Sequence, residues 1–189
     1  MAPHVEVRFV SGNPFKIAEA KSILSGRSIS VLESKLKIEE LQTTDTHKLV
    51  HHKLLEAYRK IGRPLFVEHT GLHLDYLGGF PGGLTQIFWD TLKADRFAEL
   101  FGRAPNNNVR ARTTIGYCDG RKVHEFDGEI AGQIVSEPRG KRDFQWDCVF
   151  QPAGQSKTFA EMGEQKNNIS MRRIALEKLA VHLTNELAR

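Results

Sequence analysis

VEVRFVSGNPFKIAEAKSIL, residues 5–24, changes its hydrophobic period across one short turn. VEVRFV alternates and is rich in Val and Phe, the pattern of a strand. Ser11-Gly12-Asn13-Pro14 interrupts it. Asn13 is a helix-capping residue type, Pro14 suits a first helical turn, and Ile17, Ala20 and Leu24 recur at helical spacing until Gly26. The stretch predicts strand, tight loop and helix, the opening unit of an α/β fold.

Outward from this unit, Ile29, Val31, Leu36 and Ile38 predict a second strand, and Val50, Leu54, Ala57 and Ile61 mark one face of a second helix, ended by Gly62 and Pro64. Leu65-Phe66-Val67 reads as a short buried strand with the polar cluster Glu68-His69-Thr70-Gly71 at its carboxyl end. Gly78-Gly79-Phe80-Pro81-Gly82-Gly83 is a loop, and Ile87, Phe88, Leu92, Phe97 and Leu100 predict one helix or a broken pair. Between 109 and 150 the segments VRARTTIGYC, KVHEF, IAGQIV and CVF read as strands. Leu176, Leu179, Ala180, Leu183 and Leu187 predict a carboxyl-terminal amphipathic helix.

At 189 residues without repeats or linkers, one domain spanning residues 1–189 is expected, and a two-lobed arrangement fits equally. Hydrophobic residues make up 40%, and no run approaches the roughly 18–20 apolar residues of a membrane helix, which excludes a membrane span. MAPHVEVRFV lacks a basic segment followed by an apolar run, so a cytoplasmic location is expected. Cys118 and Cys148 lie in apolar stretches without zinc spacing and read as buried, reduced and structural. The net charge of +4 suits a polyanionic partner. Because the basic residues are not clustered, a phosphate-bearing small molecule is the expected partner and nucleic acid is not.

Ser11-Gly12-Asn13-x-x-Lys16 places a turn and a lysine at a helix amino terminus, which favours an anion, although the same residues also make a plain turn and cap. Lys53 and Lys166 taken singly read as surface lysines. Glu40 and Glu68 offer the hard oxygen that Mg²⁺ shares with phosphates, or are simply exposed carboxylates. In Phe144-Gln145-Trp146-Asp147 the aromatics can stack a purine that a carboxylate reads, or can pack in the core.

The order of ten motifs carries more than any one of them. S-G-N-x-x-K, E-H-T-G-L, L-G-G-F-P-G, F-D-G-E-I-x-G-x-I, P-R-G, F-Q-W-D, F-x-P-x-G, T-F-A-E-M, E-x-K-N and I-S-M-R follow one another between residues 11 and 173. In this order the chain resembles the inosine triphosphate pyrophosphatase (ITPase) family. The resemblance implies a two-lobed α/β fold with a long curved mixed β-sheet flanked by helices, a nucleotide cleft between the lobes, and a homodimer. It also implies Mg²⁺-dependent cleavage of the α–β phosphate bond of inosine, xanthosine and deoxyinosine triphosphates, giving a monophosphate and pyrophosphate.

Carried over by position, Ser11, Asn13 and Lys16 resemble the phosphate loop, and Lys53 and Lys166 further phosphate contacts. Glu40 matches the metal-binding glutamate, with Glu68 as its acidic neighbour and second metal ligand. Phe144, Trp146 and Asp147 match the base pocket, and Ser170 and Arg172 two members of a Ser-His-Arg triplet that reads the purine.

The chain departs from the pattern at His69, where the family has the aspartate that activates water, at Met171 in place of the triplet histidine, and at Gln145 in place of a glycine. Gln86 stands where some relatives are basic. Imidazole can serve as a general base, so His69, Glu68 and Lys16 are the expected catalytic residues. The changes at Met171 and Gln145 imply altered base selectivity. The alternative is a catalytically silent, nucleotide-binding scaffold descended from such an enzyme.

Overall fold

The computed structural model describes residues 5–186; residues 1–4 of the amino-terminal reading and Leu187 of the predicted last helix lie outside them. The first unit forms as expected: β1 (Val5–Val10) runs into α1 (Pro14–Ser25). Asn13 Oδ1 accepts from the amides of Phe15 at 3.0 Å and Lys16 at 3.3 Å, filling donors that a helix start would leave open. Then follow β2 (Ile29–Ser34), α2 (Thr46–Ile61) and β3 (Leu65–Leu74). Asp45 caps α2, and Gly62 ends it at φ 66°, a left-handed conformation that suits glycine. The chain continues through α3 (Thr85–Phe97), β4 (Asn108–Cys118), β5 (Val123–Ile134), β6 (Phe150–Pro152), α4 (Phe159–Met162) and α5 (Met171–Glu186).

The six strands form one sheet in the order β2-β1-β3-β4-β5-β6. β1 is parallel to β2 and β3, while the β3–β4, β4–β5 and β5–β6 pairs are antiparallel, so the sheet is mixed and flanked by helices. Side-chain alternation sorts the core. Val7, Phe9 and Phe66 face one side, where they pack with Ile17, Ala20 and Leu24 of α1 and Ala175, Leu176 and Leu179 of α5. Val10, Leu65 and Val67 face the other, against Leu49, Val50, Leu54 and Ala57 of α2. A third apolar cluster joins the far end of β3, at Leu72 and Leu74, to α3, Trp146, Phe150 and Phe159. Both cysteines are free and buried, and no described helix is long and apolar enough to cross a membrane.

Three local expectations are corrected. β2 stops at Ser34, and Leu36 and Ile38 instead pack from an irregular segment onto the α2 cluster. Glu68-His69-Thr70-Gly71 does not end a strand but lies inside β3, ten residues long and fully laddered with β4. KVHEF and IAGQIV belong to one strand, because Asp127-Gly128-Glu129 continues the pairing with β4 instead of turning. The helix after the glycine loop is the broken alternative, with Lys93 at φ 58° inside α3.

Gly128 sets how closely α5 lies on β5. A Cβ there would stand 2.0 Å from the Met171 carbonyl oxygen and 2.7 Å from the Ala175 amide nitrogen, backbone atoms that no rotamer change moves. At Gly116 the nearest atom is instead Val50 Cγ1 at 2.8 Å, the end of a side chain. In urea unfolding, Gly128→Ala is expected to lose about 3 kcal/mol or more and Gly116→Ala only about 1 kcal/mol. Equal losses would mean that the α5 approach is not rigid.

Candidate active site

Polar residues in the interior of β3 build the site, and strand alternation splits them. Glu68 shares a face with Phe66 and meets α1 and α5, whereas the next residue, His69, shares a face with Val67 and meets the α2 side. On the first side, Arg172 Nε lies 2.8 Å from Glu68 Oε2 and its second terminal nitrogen 3.1 Å from Oε1, a two-pronged pair. Arg172 also donates to Thr70 Oγ1 at 3.3 Å and to Glu19. Lys16 Nζ reaches Glu68 Oε1 at 3.0 Å, and Lys166 Nζ reaches Glu19 Oε1 at 2.7 Å and donates to Asp147. The result is a chain of alternating charge: Lys16, Glu68, Arg172, Glu19, Lys166, Asp147. Arg172, Glu68, Glu19, Lys166 and Asp147 are all buried.

On the second side, Lys53 Nζ donates to Glu40 Oε1 at 2.5 Å and to the Glu68 carbonyl at 3.3 Å. Glu40 Oε2 lies 3.7 Å from His69 Nδ1. His69 is buried, and its Nε2 has no partner among the described residues.

These settings shift the titrations. Burial alone would raise Glu68, but Arg172 and Lys16 outweigh it and hold the carboxyl below its usual range. Burial would likewise raise Glu40, and His69 and Lys53 pull it down. Burial lowers His69 despite Glu40, with Lys16 and Lys53 acting in the same direction, so the ring is neutral at pH 7. Burial lowers Lys16 against the pull of Glu68. Asp147 is pushed up to about 6 by burial that Lys166 only partly offsets.

Two cavities meet here. One of about 230 Å³ is lined by Ser11, Gly12, Asn13, Lys16, Glu40, Lys53, His69, Gln86, Gln145 and Trp146. A neighbour of about 440 Å³ is lined by Phe15, Glu19, Phe144, Asp147, Lys166 and Asn167, among others. The start of α1 and the turn at 144–147 serve both: Asn13, Lys16, Gln145 and Trp146 line the smaller cavity, and Phe15, Glu19, Phe144 and Asp147 the larger.

The structure therefore gathers Ser11, Asn13, Lys16, Lys53, Glu40 and His69 into one polar cavity. The Phe15 and Lys16 amides are committed to Asn13 and Pro14 has none to give, so an anion there relies on the helix dipole and the two lysines more than on first-turn amides. Lys166 stands apart, in the larger cavity, with Nζ 4.3 Å from the Phe144 ring centroid. Glu68 does not line either cavity; both its oxygens face Arg172 and Lys16, for which it is the counter-ion.

The residues that match the triplet, Ser170, Met171 and Arg172, lie at the start of α5. Met171 is buried in the apolar cluster, Ser170 Oγ accepts from the Arg173 amide at 3.1 Å at the start of α5, and Arg172 is held by carboxylates. None of the three lines either of these two cavities. Gln145 faces the smaller cavity, where its amide donates to Gln86 Oε1 and Gln86 donates to Asp90 at 2.7 Å, a bridge from the turn to α3. Gln145 keeps the left-handed backbone, φ 41°, that a glycine would adopt more cheaply. Sequence reasoning missed Glu19; its signal was an acid three residues after Lys16, on the helix face that carries Ala20 and Ile23 inward.

The donor set suits one divalent cation only in part. Glu40, its side chain 33% exposed, lines the smaller cavity, and hard cations that share phosphate oxygens need only one or two protein carboxylates. Among the described residues no group of three or more His, Cys, Asp or Glu could hold a metal by itself.

The Ham1 family model matches residues 7–182. The chain is 36% identical to a dITP/XTP pyrophosphatase of Methanopyrus kandleri, over 97% of this chain and 99% of that one. It is 36% identical to the inosine triphosphate pyrophosphatase of Kluyveromyces lactis, over 97% and 98% of the two chains. Among solved structures, the HAM1 protein from Coxiella burnetii matches with a TM-score of 0.80 at 25% identity, over 96% of this chain and 99% of that chain.

Removing Arg172 leaves Glu68 and Glu19 buried beside fewer cations. Arg172→Met is therefore expected to lose about 3–5 kcal/mol in urea unfolding at pH 7. A carboxyl held below its unfolded value of 4.5 stabilises the fold above that pH and loses the contribution as pH falls. Asp147 has the opposite sign and acts between 3.8 and about 6, so the slope is read below pH 3.8, where it is protonated folded and unfolded. There the wild type is expected to lose stability more steeply than Arg172→Met; parallel slopes would show that the pair does not hold Glu68 ionised.

Proposed function

The chain belongs to the Ham1 family, and from this premise we propose that it is a nucleoside triphosphate pyrophosphatase, cleaving the α–β phosphoanhydride of a purine triphosphate into a monophosphate and pyrophosphate. The observation that carries the reading is the smaller cavity: two lysines, a helix amino terminus, one accessible carboxylate and a buried imidazole whose Nε2 has no partner among the described residues converge there.

The division of labour follows from position. Lys16, Lys53 and the positive end of α1 hold the triphosphate, spreading the charge that grows as the linkage breaks. Glu40 would hold a divalent cation such as Mg²⁺, which when bound supplies further neutralisation of the phosphate oxygens. Glu68 takes no part at the phosphates; it fixes Lys16 at 3.0 Å.

His69 is set up as an acceptor. With its proton on Nδ1, facing Glu40 at 3.7 Å, Nε2 offers a lone pair to water. Water adds, the anhydride bond breaks, its electron pair leaves with pyrophosphate, and the water proton passes to Nε2. A cavity of about 230 Å³ is small for a whole nucleotide, so the base lies in the adjoining space against Phe144. Because Met171 is buried away from both cavities, discrimination among 6-substituted purines is weaker than a polar triplet would give.

Purified protein with Mg²⁺ is expected to release pyrophosphate from inosine, xanthosine or deoxyinosine triphosphate in a panel of purine and pyrimidine triphosphates. His69→Ala is expected to lower kcat by about 10²–10³-fold with little change in KM. Absence of pyrophosphate from every triphosphate between pH 6 and 10 would refute the reading. A large gain of activity in His69→Asp would instead mark the wild type as a silent binder.

A further inference from the structure

The side chain before Lys16 is used by nothing described so far. Phe15 sits on the first turn of α1 and is 44% exposed, although a ring of this size is ordinarily covered. Its ring lies on Phe144, with centroids 5.0 Å apart and planes at 23°, and both rings line the 440 Å³ cavity. Phe144 is the ring on which the proposed function places the base.

We infer that Phe15 is a second wall of the base site: a planar base enters between Phe15 and Phe144 and is stacked on both sides. This rests on the function proposed above and deepens it. At 5.0 Å the two rings are in contact and leave no room for a third, so Phe15 occupies the place of the base and swings outward to admit it. Exposure on a helix surface makes this a side-chain rotation, with no backbone change required. The neighbouring residues fix direction as well as place. Asn13 and Lys16, on either side of Phe15 in sequence, line the phosphate cavity, so one helical turn presents cation to the phosphates and aromatic ring to the base.

The chemical consequence is a selectivity built on ring area. Stacking reads the π-face that all bases share and favours the two-ring system, whereas edge substituents are read only by polar groups such as Asp147 and Lys166 at the cavity wall. Phe15 is thus a specificity-determining residue for purine over pyrimidine, and a tolerant one toward the 6-position.

The test compares a base-bearing and a base-free ligand by calorimetry with Mg²⁺: non-cleavable α,β-methylene deoxyinosine triphosphate and inorganic tripolyphosphate. Phe15→Ala is expected to weaken the analogue about tenfold or more while tripolyphosphate binding stays within twofold, and Phe15→Tyr to retain both. In turnover the same substitution raises KM for purine triphosphates and leaves kcat unchanged, narrowing the purine-to-pyrimidine ratio. If wild type binds and cleaves purine triphosphates but Phe15→Ala binds the analogue equally well, the second wall is refuted while the function stands. Equal weakening of both ligands would also refute it, because Phe15 would then act through the phosphate loop. Failure of the wild type to bind either ligand would remove the clamp and the underlying function together.

Discussion

Arg172 is the hinge of the electrostatics. It ties α5 to β3 through Glu68 and to α1 through Glu19, and it does so out of contact with water. A guanidinium buried this deeply is tolerable only because two carboxylates and a hydroxyl surround it. Those same carboxylates position Lys16 for one cavity and Lys166 for the next. One desolvated cation thereby ties the side chains of the smaller cavity to those of the larger.

The two cavities have different characters for this reason. The smaller holds cations, one accessible carboxylate and a neutral imidazole, which suits a ligand of high negative charge that brings its own oxygens. The larger is walled by aromatic rings with a carboxylate–ammonium pair at its edge, which suits a flat heterocycle. The start of α1 and the turn at 144–147 supply a wall to each of them.

Much of this was written locally in the chain. Residues 5–24 announce their strand, cap and helix because period, Asn13 and Pro14 act within a few residues of one another. That Ser11, Asn13 and Lys16 belong together was legible for the same reason, and the resemblance of the ordered motifs added Lys53 and Glu40, which line the same cavity. What stayed hidden is long-range. Arg172 meets partners 104 and 153 positions away, so no local pattern could show that it pairs with Glu68 and Glu19. The charge of Glu68 was visible in the sequence and its partners Arg172 and Lys16 were not. Met171 and Ser170 were read as lining a pocket because motif adjacency says nothing of which face of a helix turns inward. Leu36 and Ile38 looked like strand because apolar residues under a loop carry the same signal as apolar residues in a sheet.

The placement of Glu68 and His69 next to each other in β3 has an evolutionary corollary. Side chains on a strand alternate like teeth on opposite edges of a saw, so adding or deleting one residue upstream would exchange the two groups between α1 and α2 and invert every partnership at once. A substitution at either position can therefore change the chemistry at the centre while leaving the other partnerships in place, whereas lengthening or shortening the strand cannot.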